Sequence, residues 1–186
     1  AGLRIADFTA MVAGPIVASF FGMLGADVVH VESTKRPDSM RGHTLLTTAD
    51  DQWWEYTPMF HGPNTNKRDI TLDLEDERGR ELARKLIAAS DVMIENYSPR
   101  VMENFGFDYD GVRALNPTII MLRLPAFGLD GPWRDRTAYA ATIEQTTGMA
   151  WVTGYPDGAP TSPNGICDGL AGTHATAALL FALEHR

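Results

Sequence analysis

The stretch Leu3-Arg-Ile-Ala-Asp-Phe-Thr-Ala-Met-Val-Ala-Gly-Pro-Ile-Val-Ala-Ser-Phe-Phe-Gly-Met-Leu-Gly-Ala-Asp-Val-Val-His-Val-Glu32 decides the fold. Leu3 to Phe8 reads as a short strand. Ala13-Gly14-Pro15 is a turn, and Pro15 suits the first position of a helix running to about Leu24. Ile16, Val17, Phe20, Phe21 and Leu24 form an apolar stripe on that helix, of the kind that packs on a sheet. Gly25 closes the helix, and Asp27 to Glu32 reads as a second strand. Strand, helix and strand in so short a span make a βαβ unit, whose strands run parallel.

The same alternation continues outward. Ile70 to Leu74 is a third strand, followed by an amphipathic helix from Glu75 to Ser90 with Leu82, Leu86 and Ile87 inward and Glu81/Lys85 outward. Asp91 to Glu95 is a fourth strand, ending at Asn96-Tyr97-Ser98-Pro99. Val101–Phe105 and Tyr109–Leu115 read as short helices, and Thr118 to Leu124 is a fifth strand, apolar almost throughout as a buried parallel strand should be. Tyr139 to Met149 has a helical pattern. The apolar run Leu170 to Leu183 reads as a helix buried on most faces. The expected fold is α/β, an open doubly wound, mostly parallel sheet with helices on both faces. Such sheets bind ligands beyond the carboxyl ends of their strands, which gathers residues 7–14, 32–41, 96–99 and 125–132 on one rim.

Bulk properties narrow the function. The 186 residues suit one domain, and a hydrophobic share of 44% means a globular chain. A net charge of −8 argues against a nucleic-acid partner. One cysteine cannot form an internal disulfide, which fits a reducing compartment. No continuous run approaches the ~18 apolar residues of a membrane span, and the strand-like amino terminus shows no signal peptide. The expectation is a cytoplasmic protein without a membrane partner.

Single motifs are weaker guides. A dinucleotide site would need G-x-G-x-x-G in the first βα turn, and this turn offers only Gly14 followed by a proline, although Glu32 stands where a ribose-binding acid would. Cys167 and His174, seven residues apart on one helix, lie ~10 Å apart in rise, too far for proton transfer. His30, His43, His61 and His185 show no metal-ligand spacing, so no metal is expected. Basic residues cluster in loops at Lys35/Arg36/Arg41, Lys67/Arg68 and Arg134/Arg136, a footprint that fits a phosphorylated ligand or ordinary solvated charge. The long polar segment from Ser33 to Pro63 is a place to look for a ligand. Trp53, Trp54, Trp133 and Trp151 suit a roomy apolar pocket or a core. Asp168, just before the apolar helix, reads either as its N-cap or as a nucleophile stabilised by nearby amides.

Several segments in register resemble one family: residues 2–9, Ala13-Gly-Pro15, residues 24–32, Asn66-Lys-Arg68, residues 89–96, Leu115-Asn-Pro117, residues 127–132, and Asp168 before its helix. Together they resemble the N-terminal part of a class III CoA-transferase (the CaiB/BaiF family, which includes formyl-CoA transferase). The resemblance implies that residues 1–186 form a Rossmann-like CoA-binding and catalytic domain, without the family's second domain. It implies an enzyme that moves CoA between an acyl-CoA and a carboxylic acid, with Asp168 as nucleophile. Coenzyme A would be held along the strand ends by Asn96, Tyr97, Lys67 and Arg68, with Arg41 as a further contact. Val12, Tyr139 and Ala140 match substrate-pocket positions. Val12 and Ala140 replace a glutamine and a carboxylate of oxalate-acting members, and the second base of racemases is missing beside Tyr139, which argues against both chemistries. An acyl-CoA racemase of the same fold and a non-catalytic CoA- or nucleotide-binding fragment are the alternative readings. The family also implies an interlocked homodimer of full-length chains, so this piece alone should be inactive.

Overall fold

A computed structural model describes residues 2–42 and 51–186; His43 therefore lies outside the described residues. Five strands, β1 (Arg4–Asp7), β2 (Asp27–Glu32), β3 (Arg68–Thr71), β4 (Val92–Glu95) and β5 (Ile120–Arg123), form one parallel sheet in the order β3-β2-β1-β4-β5. The helices are α1 (Ala13–Met23), α2 (Pro58–His61), α3 (Glu77–Ala88), α4 (Pro99–Asn104), α5 (Tyr109–Leu115), α6 (Ala140–Thr146), α7 (Met149–Val152) and α8 (Ile166–His185). The expected doubly wound α/β architecture is present.

Side-chain alternation along the strands divides the core. Ile5, Val28, Val92 and Ile94 point to one face, where Val17, Ala18 and Phe21 of α1 and Leu179 of α8 cover them. Ala6, Phe8, Val31 and Met93 point to the other, covered by Ala83, Ile87, Met102 and Val112 from α3, α4 and α5. Burying ten such side chains in one cluster is the main stabilising term.

Several elements depart from the sequence pattern. β3 starts at Arg68 rather than Ile70, because pairing of Asp69 beside His30 sets its register; Leu72 and Leu74 instead pack on the core after the strand ends. Leu82 is exposed, since the buried stripe of α3 is Gly79, Ala83 and Ile87. Pro15 is the third residue of α1 and not the first, and Phe20 and Leu24 of the expected stripe face outward. The helix expected from Tyr139 to Met149 breaks at Gly148 into α6 and α7. α8 is not buried on most faces: only Gly172, Thr176 and Leu179 are, because the described chain covers one side of it. With its 20 residues and a mean hydropathy of 1.4 in its most apolar window, α8 is also long and apolar enough by composition to cross a membrane, contrary to the expectation for this chain. A helix that packs on a soluble core passes the same test, and α8 packs on α1.

Candidate active site at the carboxyl rim of the sheet

α8 runs parallel to α1. Gly172 lies so close to the start of α1 that a Cβ there would stand 2.9 Å from the Ala13 carbonyl oxygen. Leu179 meets Val17 and Phe21 further along, and Arg186 reaches Asp91 Oδ1 at 2.8 Å, just before β4. Since α1 leaves the carboxyl end of β1, the first turn of α8 sits at that same rim. Asp168 is in this turn, one helical turn before Gly172 and so on the face turned toward α1.

The N-cap reading of Asp168 fails on geometry. The cap position belongs to Gly165, whose φ of 109° only glycine adopts readily, and Asp168 is the third residue inside the helix. The cap itself comes from α6: Glu144 Oε1 accepts from the Gly165 amide at 2.7 Å, and Oε2 accepts from the Asn164 amide at 3.0 Å and the Ser162 hydroxyl at 2.6 Å. The bond from Ser162, with those from the backbone, outweighs desolvation and holds the Glu144 carboxyl below its ordinary range. Asp168 is half-buried, and among the described residues no donor reaches its carboxylate. Burial, then the charge of Glu144, pushes its pKa above the ordinary 3.8.

On the other side of the β1–α1 turn lies a cleft of about 350 Å³. Phe8, Leu72, Leu74, Tyr97, Val101 and Met102 supply apolar walls, and Lys35 and Arg36 stand at its edge. Their side chains are 63% and 85% exposed and, among the described residues, pair with exposed or half-exposed acids, Lys35 with Asp73 at 2.6 Å and Arg36 with Glu75 at 3.3 Å. Such pairs exchange readily for a phosphate. Burial raises the Tyr97 hydroxyl to about 12, so it stays a neutral donor.

The turn between cleft and Asp168 has three consecutive amides already engaged. Asp7 Oδ1 takes the Thr9 amide, Asn96 takes the Ala10 amide and returns a bond to its carbonyl, and Asp38 takes the Met11 amide. With those three donors spent, the amides of residues 9–11 are not open to a dinucleotide pyrophosphate.

The remaining predicted contacts fall in two groups. Arg41 is bound through two nitrogens to Glu32 (2.6 and 2.9 Å) and lies 3.6 Å over the Phe60 ring, and that ion pair raises its pKa. Lys67 is fully buried with Nζ 2.8 Å from Asp7 Oδ2. Arg68 opens β3 at the amino end of the sheet and pairs with Asp27, away from the rim. Asn96 thus shapes the turn, Tyr97 lines the cleft, Arg41 and Lys67 are engaged inside the protein, and Arg68 is engaged at its surface. Val12 precedes α1 near the same rim. Tyr139 is 68% exposed and Ala140 is buried, both at the start of α6. The four tryptophans are exposed and none lines the cleft.

Spacing along the chain left one cluster unresolved and missed one grouping. Lys35 and Arg36 were visible as a cluster, but only folding separates them from the engaged Arg41. His30, Glu32 and Asp69 bring ligand atoms within 4.8 Å of one another across β2 and β3, a grouping that no linear spacing reveals. There Arg41 occupies Glu32, while both partners of the His30 ring, Asp69 (2.6 Å) and the Thr9 carbonyl (3.0 Å), are acceptors, so both ring nitrogens donate. Burial alone would lower the His30 pKa, but the Asp69 bond, the Asp7 charge and the Thr9 bond together raise it.

The whole chain, residues 1–186, matches the model of CoA-transferase family III. The chain belongs to that family. It is 35% identical over its full length to the succinyl-CoA–L-malate CoA-transferase beta subunit of Chloroflexus aurantiacus, covering 45% of that protein. It is 38% identical to formyl-CoA:oxalate CoA-transferase of Streptomyces avermitilis, covering 44% of it. A solved CAIB/BAIF family protein from Brucella suis superposes with a TM-score of 0.87 at 33% identity, over 99% of this chain and 48% of that one. The chain thus spans under half the length of the relatives it matches.

Proposed function

We infer that the protein containing this CoA-transferase family III chain moves CoA between an acyl-CoA and a carboxylic acid, with Asp168 as the covalent nucleophile. The observation that carries this reading is the Asp168 carboxylate: half-buried, without a hydrogen-bond donor among the described residues, and raised in pKa at the ligand rim. A carboxylate that has shed its solvation and its donors is a stronger nucleophile than a capped one. It attacks the thioester carbonyl carbon, the C–S bond breaks, and CoA thiolate leaves behind a mixed anhydride. The thiolate attacks the aspartyl carbonyl, releasing the first carboxylate and leaving an aspartyl-CoA thioester. The acceptor carboxylate attacks that thioester, and the displaced thiolate takes the acceptor's acyl carbon, freeing Asp168.

The apolar cleft suits the adenine ring, with Lys35 and Arg36 for the phosphates and Tyr97 as a neutral donor. The pantetheine arm then crosses the β1–α1 turn toward Asp168. Residues 1–186 act in this reading as the CoA-binding domain, and the open apolar side of α8 receives the rest of a longer chain and a second, interlocked copy. The single cysteine keeps the cytoplasm as the proposed compartment. Incubating full-length protein with acyl-CoA and digesting it tests the reaction: the peptide holding Asp168 gains the mass of an acyl or CoA adduct. Tight CoA binding with no adduct at Asp168 would favour a binding module instead.

A further inference from the structure

Glu144 has no part in the reaction just described, yet it is fully shielded from solvent. It pairs with no cation among the described residues. Its carboxylate is instead wrapped by the turn that feeds α8, with Ser162, Asn164 and Gly165 donating to it. Asn164 and Gly165 both have positive φ, 62° and 109°, so the chain curls around the acid.

The numbering of the first turn gives this contact a consequence. Gly165 is the cap residue and Asp168 is the third residue after it. An acidic side chain at that third position characteristically reaches back and accepts from the cap residue's own amide, closing a capping box. Here that amide is already donated to Glu144 at 2.7 Å. The capping-box donor for Asp168 is therefore spent elsewhere, and among the described residues its carboxylate stays unpaired.

Resting on the reading of Asp168 as nucleophile, we propose that Glu144 is a positioning residue that holds the Gly165 amide away from Asp168 and so keeps the Asp168 carboxylate free to react. Gly172, seated against Ala13, anchors the same helix one turn further on, so the first turn is held from both sides. The surroundings leave Glu144 as the charge that governs Asp168. Ala13 to Met23 of α1 contains no titratable side chain, Glu144 is the one titratable residue of α6, and Arg123 of β5 is committed to Glu95 at 2.6 Å. Cys167, the neighbour on the same turn, is itself held neutral by burial and by both acids.

Full-length Glu144→Ala and Glu144→Gln proteins test this with two readouts. One is the rate at which acyl-CoA labels Asp168 in a single turnover. The other, independent of activity, is the pH midpoint of carbodiimide labelling on the Asp168 peptide, read by mass spectrometry. In Glu144→Ala the freed amide closes onto Asp168 and a like charge is lost, so the midpoint should fall by about one pH unit. The labelling rate should fall on the order of tenfold or more, with KM for acyl-CoA little changed. Glu144→Gln retains one acceptor oxygen and should lie between wild type and alanine; it decides the matter if the alanine variant does not fold. A merely structural role lowers the melting temperature and leaves midpoint and rate where they were, which overturns the proposal. No adduct in wild type overturns the nucleophile reading itself, whatever Glu144 does; an adduct in wild type with unmoved variants overturns only the role of Glu144.

Discussion

On the β1–β2–β3 side of the rim, Lys67 faces Asp7 at 2.8 Å, Arg41 grips Glu32, and His30 is held between Asp69 and Thr9. On the α6–α8 side, Asp168 meets no donor among the described residues, and the described residues cover one face only of the helix that bears it. The first region is complete in this chain: its charges neutralise one another and lock a turn in place. The second leaves a carboxylate without a donor among the described residues and most of the α8 surface uncovered by them. If Asp168 is the nucleophile proposed above, stability is concentrated in one half of the rim and reactivity in the other, because a group that reacts must not already be satisfied.

The sharpest way to break that contrast is at Asp168. Asp168→Asn should reduce CoA transfer on the order of 10³-fold or more in the full-length protein while leaving CoA binding nearly intact, as steady-state rates and calorimetry would show. Activity within about tenfold of wild type would remove Asp168 from the reaction.

The stabilising half should fail differently. Lys67→Met leaves Asp7 buried without its cation and should cost about 3–5 kcal/mol in denaturant unfolding. Arg68→Ala, at an exposed pair on the far edge, should cost less than about 1 kcal/mol and leave CoA affinity unchanged. Equal losses for the two would show that burial of the pair is not what matters.

pH acts on both halves with the same sign but in different ranges. The raised pKa of Asp168 means that its protonated form is favoured in the fold, so its contribution to stability is present below the ordinary 3.8 and lost as pH rises through the folded value. Asp168→Asn should therefore melt a degree or two higher than wild type at neutral pH, roughly as a small stability gain dictates, with the gap closing in acid. Thermal melts across pH check this. His30 is raised above 6.5, so its contribution is likewise lost on the alkaline side, through the folded value.

The smallest effect belongs to the edge of the cleft. Lys35→Ala and Arg36→Ala should each weaken CoA binding by about threefold, and wild-type affinity should drop with added salt, since these charges are exposed. Salt-independent affinity in calorimetric titrations would move the phosphates elsewhere.

How much of this was legible in the chain follows from the range of each interaction. The βαβ start, the five strands and the carboxyl rim were readable because periodicity and turn residues act within a few positions of one another. Asn96 and Tyr97 were readable as rim residues for the same reason, whereas Asp168 was readable only as the carboxylate before an apolar helix. What a cation is engaged with is a long-range question: Lys67 and Asp7 are 60 residues apart, and nothing near either one announces the pair. The same holds for the cap of α8. Local pattern offered Asp168 for that role, and only the packing of α6 brought Glu144 to the Gly165 amide from 21 residues away. The sequence by itself determined the layers of the sheet and set the carboxylate just before the apolar helix; the packing of α8 on α1 brought it to the rim. Tertiary structure alone decided which charges are neutralised and which carboxylate is left free, because desolvation and hydrogen-bond partners depend on neighbours that the chain brings together only when folded.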